Sequence, residues 1–216
     1  MKESYALSLF ILFLAAGGLI AHPASAQKID GAFHLSVNTS LLRYVSTNME
    51  FEDLDEERDA EALSLGPAIP GIVFGYGLSD NFLLGLGISP SRSSSEVEDG
   101  GEMKTFTLVV GPLIRYIFSI QGAFKPYLQL GLGVGVQKML ISGFIGASDF
   151  RNSQTDFAIG AAVGVQGFAT DTFSIDPFVS FDYLQGSGEV EMGALSDNFL
   201  DSGYSLTLGV ALSGWI

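Results

Sequence analysis

Between residues 125 and 139, in the run KPYLQLGLGVGVQKM, the side chains alternate between two surfaces. Pro126, Leu128, Leu130, Leu132, Val134 and Val136 take every second position, and Tyr127, Gln129, Gly131, Gly133, Gly135 and Gln137 lie between them. A period of two belongs to a β-strand, whose successive side chains leave opposite faces of the backbone. A bulky apolar row opposite a small or polar row has two readings. A soluble sheet would bury the apolar row. A membrane barrel would turn it to lipid and fill a crowded, hydrated interior with the other.

The same alternation recurs along the chain and predicts eight strands. The first covers 31–45, with Phe33, Leu35, Val37, Thr39 and Leu41 on one face and His34, Ser36, Asn38 and Ser40 on the other. The second, 63–78, is blurred by Pro67 and Pro70, which predicts an irregularity or bulge there. Strands over 82–91, 104–119, 125–139, 155–169 and 173–185 follow, and the last ends the chain with Tyr204, Leu206, Leu208, Val210, Leu212 and Ile216 on one face. Long polar connections (50–61, 93–102, 140–154 and 186–202) alternate with tight turns near 79–81, 121–122 and 170–172. An up-and-down antiparallel meander therefore has all its long loops at one end and all its turns at the other. Short turns on one side, long loops on the other and an even strand count are the arrangement of outer-membrane barrels. Closing such a sheet removes the unpaired edges that hydrocarbon would not tolerate.

Residues 1–26 read as an export signal: Lys2, an apolar run from Tyr5 to Ala21, and the small-x-small site Ala24-Ser25-Ala26. The domain organisation expected is thus a signal peptide over 1–26 and one barrel domain over 27–216, with no further domain after it. No other apolar run is long enough for a spanning helix, so insertion would be by strands. The absence of Cys excludes a disulfide framework, thiolate metal sites and Cys nucleophiles. With 27 Gly and 17 Phe, and a formal net charge of −14 despite an apolar composition, charge and apolarity must be separated in space. That acidity also argues against nucleic acid as a partner.

The Gly-rich hairpins FGYGLSDNFLLGLGI (74–88) and IGAAVGVQGFATDTFSIDPF (159–178), with a strand ending near an aromatic residue, resemble the small OmpA/OmpX-like outer-membrane β-barrel family. The likeness covers the whole mature chain and rests on patterns, not on a catalytic motif. It implies an all-β fold: an eight-stranded antiparallel up-and-down transmembrane β-barrel after a cleaved signal peptide, in the outer membrane of a Gram-negative-type bacterium. Lipid, lipopolysaccharide and the barrel-assembly machinery are the partners it implies. Barrels of this kind usually end on an aromatic residue, whereas this chain ends Trp215-Ile216. Alternation places Ile216 on the lipid-facing row, and the pair reads as a variant assembly signal. An exported lipocalin-like barrel is the soluble alternative, and it would need its large apolar residues inside.

Candidate chemistry is sparse. His34 and Ser36 share a strand face and could form a base–nucleophile pair, but no third group or oxyanion site accompanies them. A polar interior is the simpler expectation, so no catalytic residue is assigned. Arg115, Lys138, Asp156, Asp176 and Asp182 are expected on interior rows, where charges must pair or stay hydrated. Glu50, Glu52, Asp53, Asp55, Glu56, Glu57 and Asp59 form an acidic run that offers oxygen ligands but lacks the spacing of a calcium loop. A solvated loop is expected there, with divalent cations bridging to lipopolysaccharide phosphates as the alternative. Tyr116, Phe118, Phe173 and Tyr204 are candidate lipid-interface aromatics. The glycines of 131–135 lie within one strand, which excludes a nucleotide-binding turn, and no cofactor is expected. The functions left open are a scaffold displaying its loops, a passive path for small or hydrophobic solutes, and a lipid-modifying barrel enzyme.

Overall fold

A computed structural model describes residues 29–51, 56–65, 71–96, 102–120, 122–142, 150–192 and 195–216. The expected signal peptide lies outside the described residues. Among the described residues nine antiparallel strands are present: β1 (Phe33–Phe51), β2 (Glu56–Leu65), β3 (Gly71–Gly77), β4 (Phe82–Glu96), β5 (Glu102–Ile117), β6 (Phe124–Ser142), β7 (Phe150–Thr170), β8 (Phe173–Met192) and β9 (Leu195–Trp215). Consecutive strands pair from β3 to β9. β1 pairs with β9 from His34↔Trp215 to Phe51↔Phe199, which closes the ring. On its other edge β1 pairs first with β3, from Phe33↔Tyr76 to Asn38↔Gly71, and then with β2, from Leu42↔Leu65 to Phe51↔Glu56. β2 and β3 are therefore two segments of one barrel stave. Among the described residues the wall has eight staves, one of them made of these two segments. The interval 66–70, which contains Pro67 and Pro70, falls between the two segments.

Where they are described, the residues of the long loops expected from polar composition are strand. The acidic run supplies Glu50 to β1 and Glu56, Glu57 and Asp59 to β2, in register at Glu50↔Glu57 and Asn48↔Asp59. Likewise Ser187↔Leu200 through Met192↔Leu195 continue the β8–β9 ladder across most of the expected loop 186–202. An antiparallel ladder continues wherever two backbones stay in register, and it needs no apolar face once it has risen clear of hydrocarbon. Polarity marks the membrane boundary here, not the strand end.

The turn end is compact. Gly122 takes φ 122°, in the left-handed region that favours glycine. The Asn81 side chain donates to the Ile117 carbonyl and to Ser119 Oγ, both at 2.6 Å, and so fixes the β3–β4 turn to the end of β5.

Outward rows are apolar and open. On β6, Leu130, Leu132 and Val134 are 52%, 49% and 56% exposed, whereas their inward neighbours are glycines. Comparable outward rows run around the ring, from Phe33, Leu35 and Val37 on β1 to Leu206 and Leu212 on β9. From Pro126 to Val136 the row spans roughly 33 Å along the strand, or roughly 25 Å in height at the usual barrel tilt of about 40°, which matches the apolar band of outer-membrane barrels. A register shift between Ser40 and Leu42 interrupts β1. Below it His34 and Ser36 face inward. Above it Arg43 does, opposite inward-facing Thr207. The bulge turns an extra residue out of the ladder and so switches which parity faces the lumen.

Candidate functional site: the lumen and its charged floor

The interior is filled from the turn end upward. Ile29, Leu83, Ile117, Phe168 and Trp215, each at most 2% exposed, form an apolar plug. The segment before β1 folds beneath the barrel to supply Ile29. Asp80 Oδ1 accepts from the Ile29 and Asp30 amides at 3.3 and 3.4 Å, and the Gly31 amide donates to the Gly77 carbonyl at 2.9 Å. A Cβ on residue 77 would overlap the Ile29 carbonyl, so glycine is required there for close approach.

Above the plug sits Arg115, 2% exposed. Its Nε and Nη2 donate to Gln129 Oε1 at 3.0 and 2.8 Å, and its guanidinium lies 4.2 Å from the centre of the Tyr127 ring. Asp176, fully buried, stands 3.8 Å from Arg115 Nη1 and accepts from Ser213 Oγ at 2.7 Å. Gln166, Ser174 and Ser36 are fully buried at the same end. Together these groups fill the lumen at this level with buried polar side chains.

Next comes a cavity of about 400 Å³, bounded below by Arg115, Tyr127 and Gln129 and lined higher by Arg43, Asp182 and Ser205. Asp182 accepts from Ser180 and Ser205 at 3.3 and 3.4 Å. At a third level Gln154 Nε2 donates to both Asp156 and Asp201. One neutral amide thus bridges two buried carboxylates. Six residues of β8 separate Asp176 from Asp182, roughly 20 Å along the strand, so these are separate levels and not one network.

Of the five charges expected inside, Arg115, Asp156, Asp176 and Asp182 face the lumen. Lys138 does not. It is exposed on the outward row of β6, because it shares the even parity of Leu132, Val134 and Val136. Arg43 and Asp201 were missed. The bulge inverted the parity of β1 at Arg43. Asp201 continues the inward row Gly203, Ser205, Thr207, but it falls in the polar stretch 186–202, whose composition predicts a loop.

His34 and Ser36 are both buried, yet the structure does not join them. Ser36 Oγ donates to Asn38 at 3.2 Å, and both His34 ring nitrogens lack a partner among the described residues. The His34 ring packs instead 4.4 Å from that of Trp215. Trp215 points into the plug, while Ile216 is 92% exposed and exchanges backbone hydrogen bonds with Phe33. Tyr116 packs against Phe82 and Phe118 at 5.0 Å, and Phe173 is exposed at the same border of the apolar belt. Tyr204 lies at the opposite border, 6.1 Å from both Tyr44 and Phe181. Among the acidic candidates, Glu50 and Asp59 are exposed on the β1–β2 arm, where Asn48 donates to Asp59 at 3.0 Å. Glu56 and Glu57 belong to β2, and Glu52, Asp53 and Asp55 lie outside the described residues.

No protein-family model matches the sequence, and no curated protein is similar enough to count as a relative. Solved structures do match in fold. The outer membrane protein OprG from Pseudomonas aeruginosa aligns over 90% of this chain and 98% of its own, with a TM-score of 0.53 at 15% identity. The outer membrane protein AlkL, solved in lipid bilayers, aligns over 90% of this chain and 95% of its own, with a TM-score of 0.52 at 16% identity.

Proposed function

From the fold of the small OmpA/OmpX-like outer-membrane β-barrels, which this chain has, we propose that it is an integral protein of a bacterial outer membrane. Its role is that of a closed scaffold that carries four strand-built arms. The observation that carries this reading is the pairing of an apolar outer belt with a lumen sealed by the Ile29–Trp215 plug and the Arg115–Asp176 level. A belt of that height turned to water would be a large exposed apolar surface, which soluble monomers avoid. A soluble ligand-binding barrel would also need the opposite assignment of its rows. An eight-stranded ring is just wide enough for its own side chains to fill, and the plug supplies that filling. His34 and Ser36 are structural in this reading, not catalytic.

Two measurements test it. The purified protein should migrate differently on a gel before and after boiling and should fractionate with outer membranes. In planar bilayers it should give no steady open channel. A persistent conductance would sink the sealed scaffold, and recovery in the soluble periplasmic fraction would sink the membrane placement.

A second reading, passage of small hydrophobic compounds through the wall, is favoured by the upper edge of β4. Among the described residues β4 pairs with β3 only from Leu83 to Ile88, while Ser89 to Glu96 pair with β5 alone. The cavity reaches that place, since Gly71, Ser89 and Pro90 are among its lining residues. The chain has no cysteine, so the pair Gly71→Cys and Ser89→Cys can be oxidised without competition. Uptake of a hydrophobic solute that falls on oxidation and returns on reduction supports the passage. Uptake that is unchanged rules it out.

A further inference from the structure

Ten Lys and Arg residues stand against 24 Asp and Glu in this chain, yet four of the ten converge on one outward patch. Arg92 on β4, Lys104 on β5, Lys138 on β6 and Arg151 on β7 line a groove of about 620 Å³ together with Phe106 and Leu140. The ladder arranges them in two rungs. One reads Arg92–Phe106–Lys138–Ser153 and the other Ser94–Lys104–Leu140–Arg151. With neighbouring strands about 4.8 Å apart and alternate residues about 6.6 Å apart, the four cations stand at the corners of a quadrilateral with sides on the order of 10 Å.

We propose that this groove binds the phosphorylated headgroup of an acylated glycolipid in the outer leaflet; the inference rests on the outer-membrane reading above. Three features point to that ligand and not to a soluble anion. The patch begins two residues above Val136, where the apolar row of β6 ends, so it sits at the boundary between hydrocarbon and headgroups. Phe106, exposed, and Leu140 lie among the cations and offer an apolar footing for acyl chains. The cations are spaced widely enough to hold two phosphates, whereas a single phosphate would reach only one or two of them. The local sign of charge is the reverse of the protein's, and so an anion is drawn here and repelled from the acidic arms. Lys104 is held by Glu102 at 2.8 Å, and Ser94 donates to the same carboxylate at 2.9 Å. The Lys104 bond, followed by the Ser94 bond, keeps that carboxyl below the usual Glu range. Glu189 and Glu191 on β8 close the far side of the groove, and Arg151 faces Glu191 in the ladder. They confine the anion to the β4–β7 side.

The test uses the full-length folded protein in detergent micelles, with bis-phosphorylated lipid A as probe and the same lipid after phosphatase treatment as its comparison. Binding is read by native mass spectrometry, and folding of every variant by its gel shift on boiling. The phosphorylated lipid should bind at least about tenfold more tightly, a difference of about 1.4 kcal/mol. The variant Arg92→Gln/Lys104→Gln/Lys138→Gln/Arg151→Gln should lose that preference and bind both lipids alike. The milder Lys138→Gln/Arg151→Gln should lose part of it. Equal binding of the two lipids by the native protein overturns the proposal, as does a quadruple variant that keeps its preference. Inorganic phosphate that displaces the lipid at equal concentration overturns the commitment to a lipid. Protein found soluble in the periplasm sinks the outer-membrane reading. Protein in the outer membrane without phosphate discrimination sinks this inference alone.

Discussion

Asp176→Asn is the sharpest probe of the sealed lumen. Asp176 is fully buried and faces one cation, Arg115, at 3.8 Å. Removing one partner of a buried pair leaves the other charge uncompensated, at a typical cost of about 3–5 kcal/mol. The lower end applies here. The separation exceeds the roughly 2.7–2.9 Å of a charge-assisted hydrogen bond, and Arg115 keeps its two bonds to Gln129 and its place over Tyr127. Ser213 can still donate to the asparagine oxygen, so the change removes charge and little else. We expect a loss of about 3 kcal/mol. The assay is urea unfolding of the protein in lipid vesicles, read by the fluorescence of the chain's one Trp, Trp215, which lies in the adjoining plug. At a denaturant slope of about 2–3 kcal/mol per molar the midpoint should fall by roughly 1–1.5 M. The double variant Arg115→Met/Asp176→Leu should recover most of the loss, since well-packed apolar replacements of buried pairs are often neutral. A single-variant loss under about 0.5 kcal/mol, typical of exposed pairs, would refute the buried Arg115–Asp176 charge pair.

Two further outcomes follow from the same geometry. Leu132→Arg, near the middle of the lipid-facing row of β6, should cost about 2–4 kcal/mol in vesicles, and a cost below about 1 kcal/mol would place that row outside hydrocarbon. Gly77→Ala should displace the Ile29 segment and lower the unfolding midpoint by an equivalent of about 1–3 kcal/mol, with new protease cleavage before Phe33. A native midpoint and an uncut segment would show that Ile29 does not plug the barrel.

The architecture was legible because a barrel wall writes itself twice, as outward Leu, Val and Phe and as inward Gly, Ser and Gln. What failed to show were the places where that code changes. The Ser40–Leu42 bulge flips the inward parity of β1 and hid Arg43. Pro67 and Pro70, where an irregularity is expected, lie outside the described residues, between the paired segments β2 and β3. Lys138 was misplaced because its charge outweighed its position. Parity with Val134 and Val136 already put it outside. The arms were hidden for a different reason. Above the belt both faces of a strand meet water, so alternation vanishes while the hydrogen-bond ladder runs on.

The distribution of cations joins these observations. Of the ten, Lys2 and Lys28 lie outside the described residues, and Arg43, Arg115 and Lys125 face the interior or the floor. Four more form the groove at the upper edge of the belt. Arg58 alone accompanies the acidic β1–β2 arm, so that arm carries its charge nearly uncompensated. Were acidity and basicity distributed only for solubility, counter-charges would sit beside the acids, where interspersed signs relieve self-repulsion. They sit instead at two heights: inside, where Arg115 and Arg43 share the lumen with Asp176 and Asp182, and at the headgroup level, where phosphate would supply a partner. The acidic arms can remain unneutralised because they stand in water, where repulsion between exposed carboxylates is weak and screened by salt.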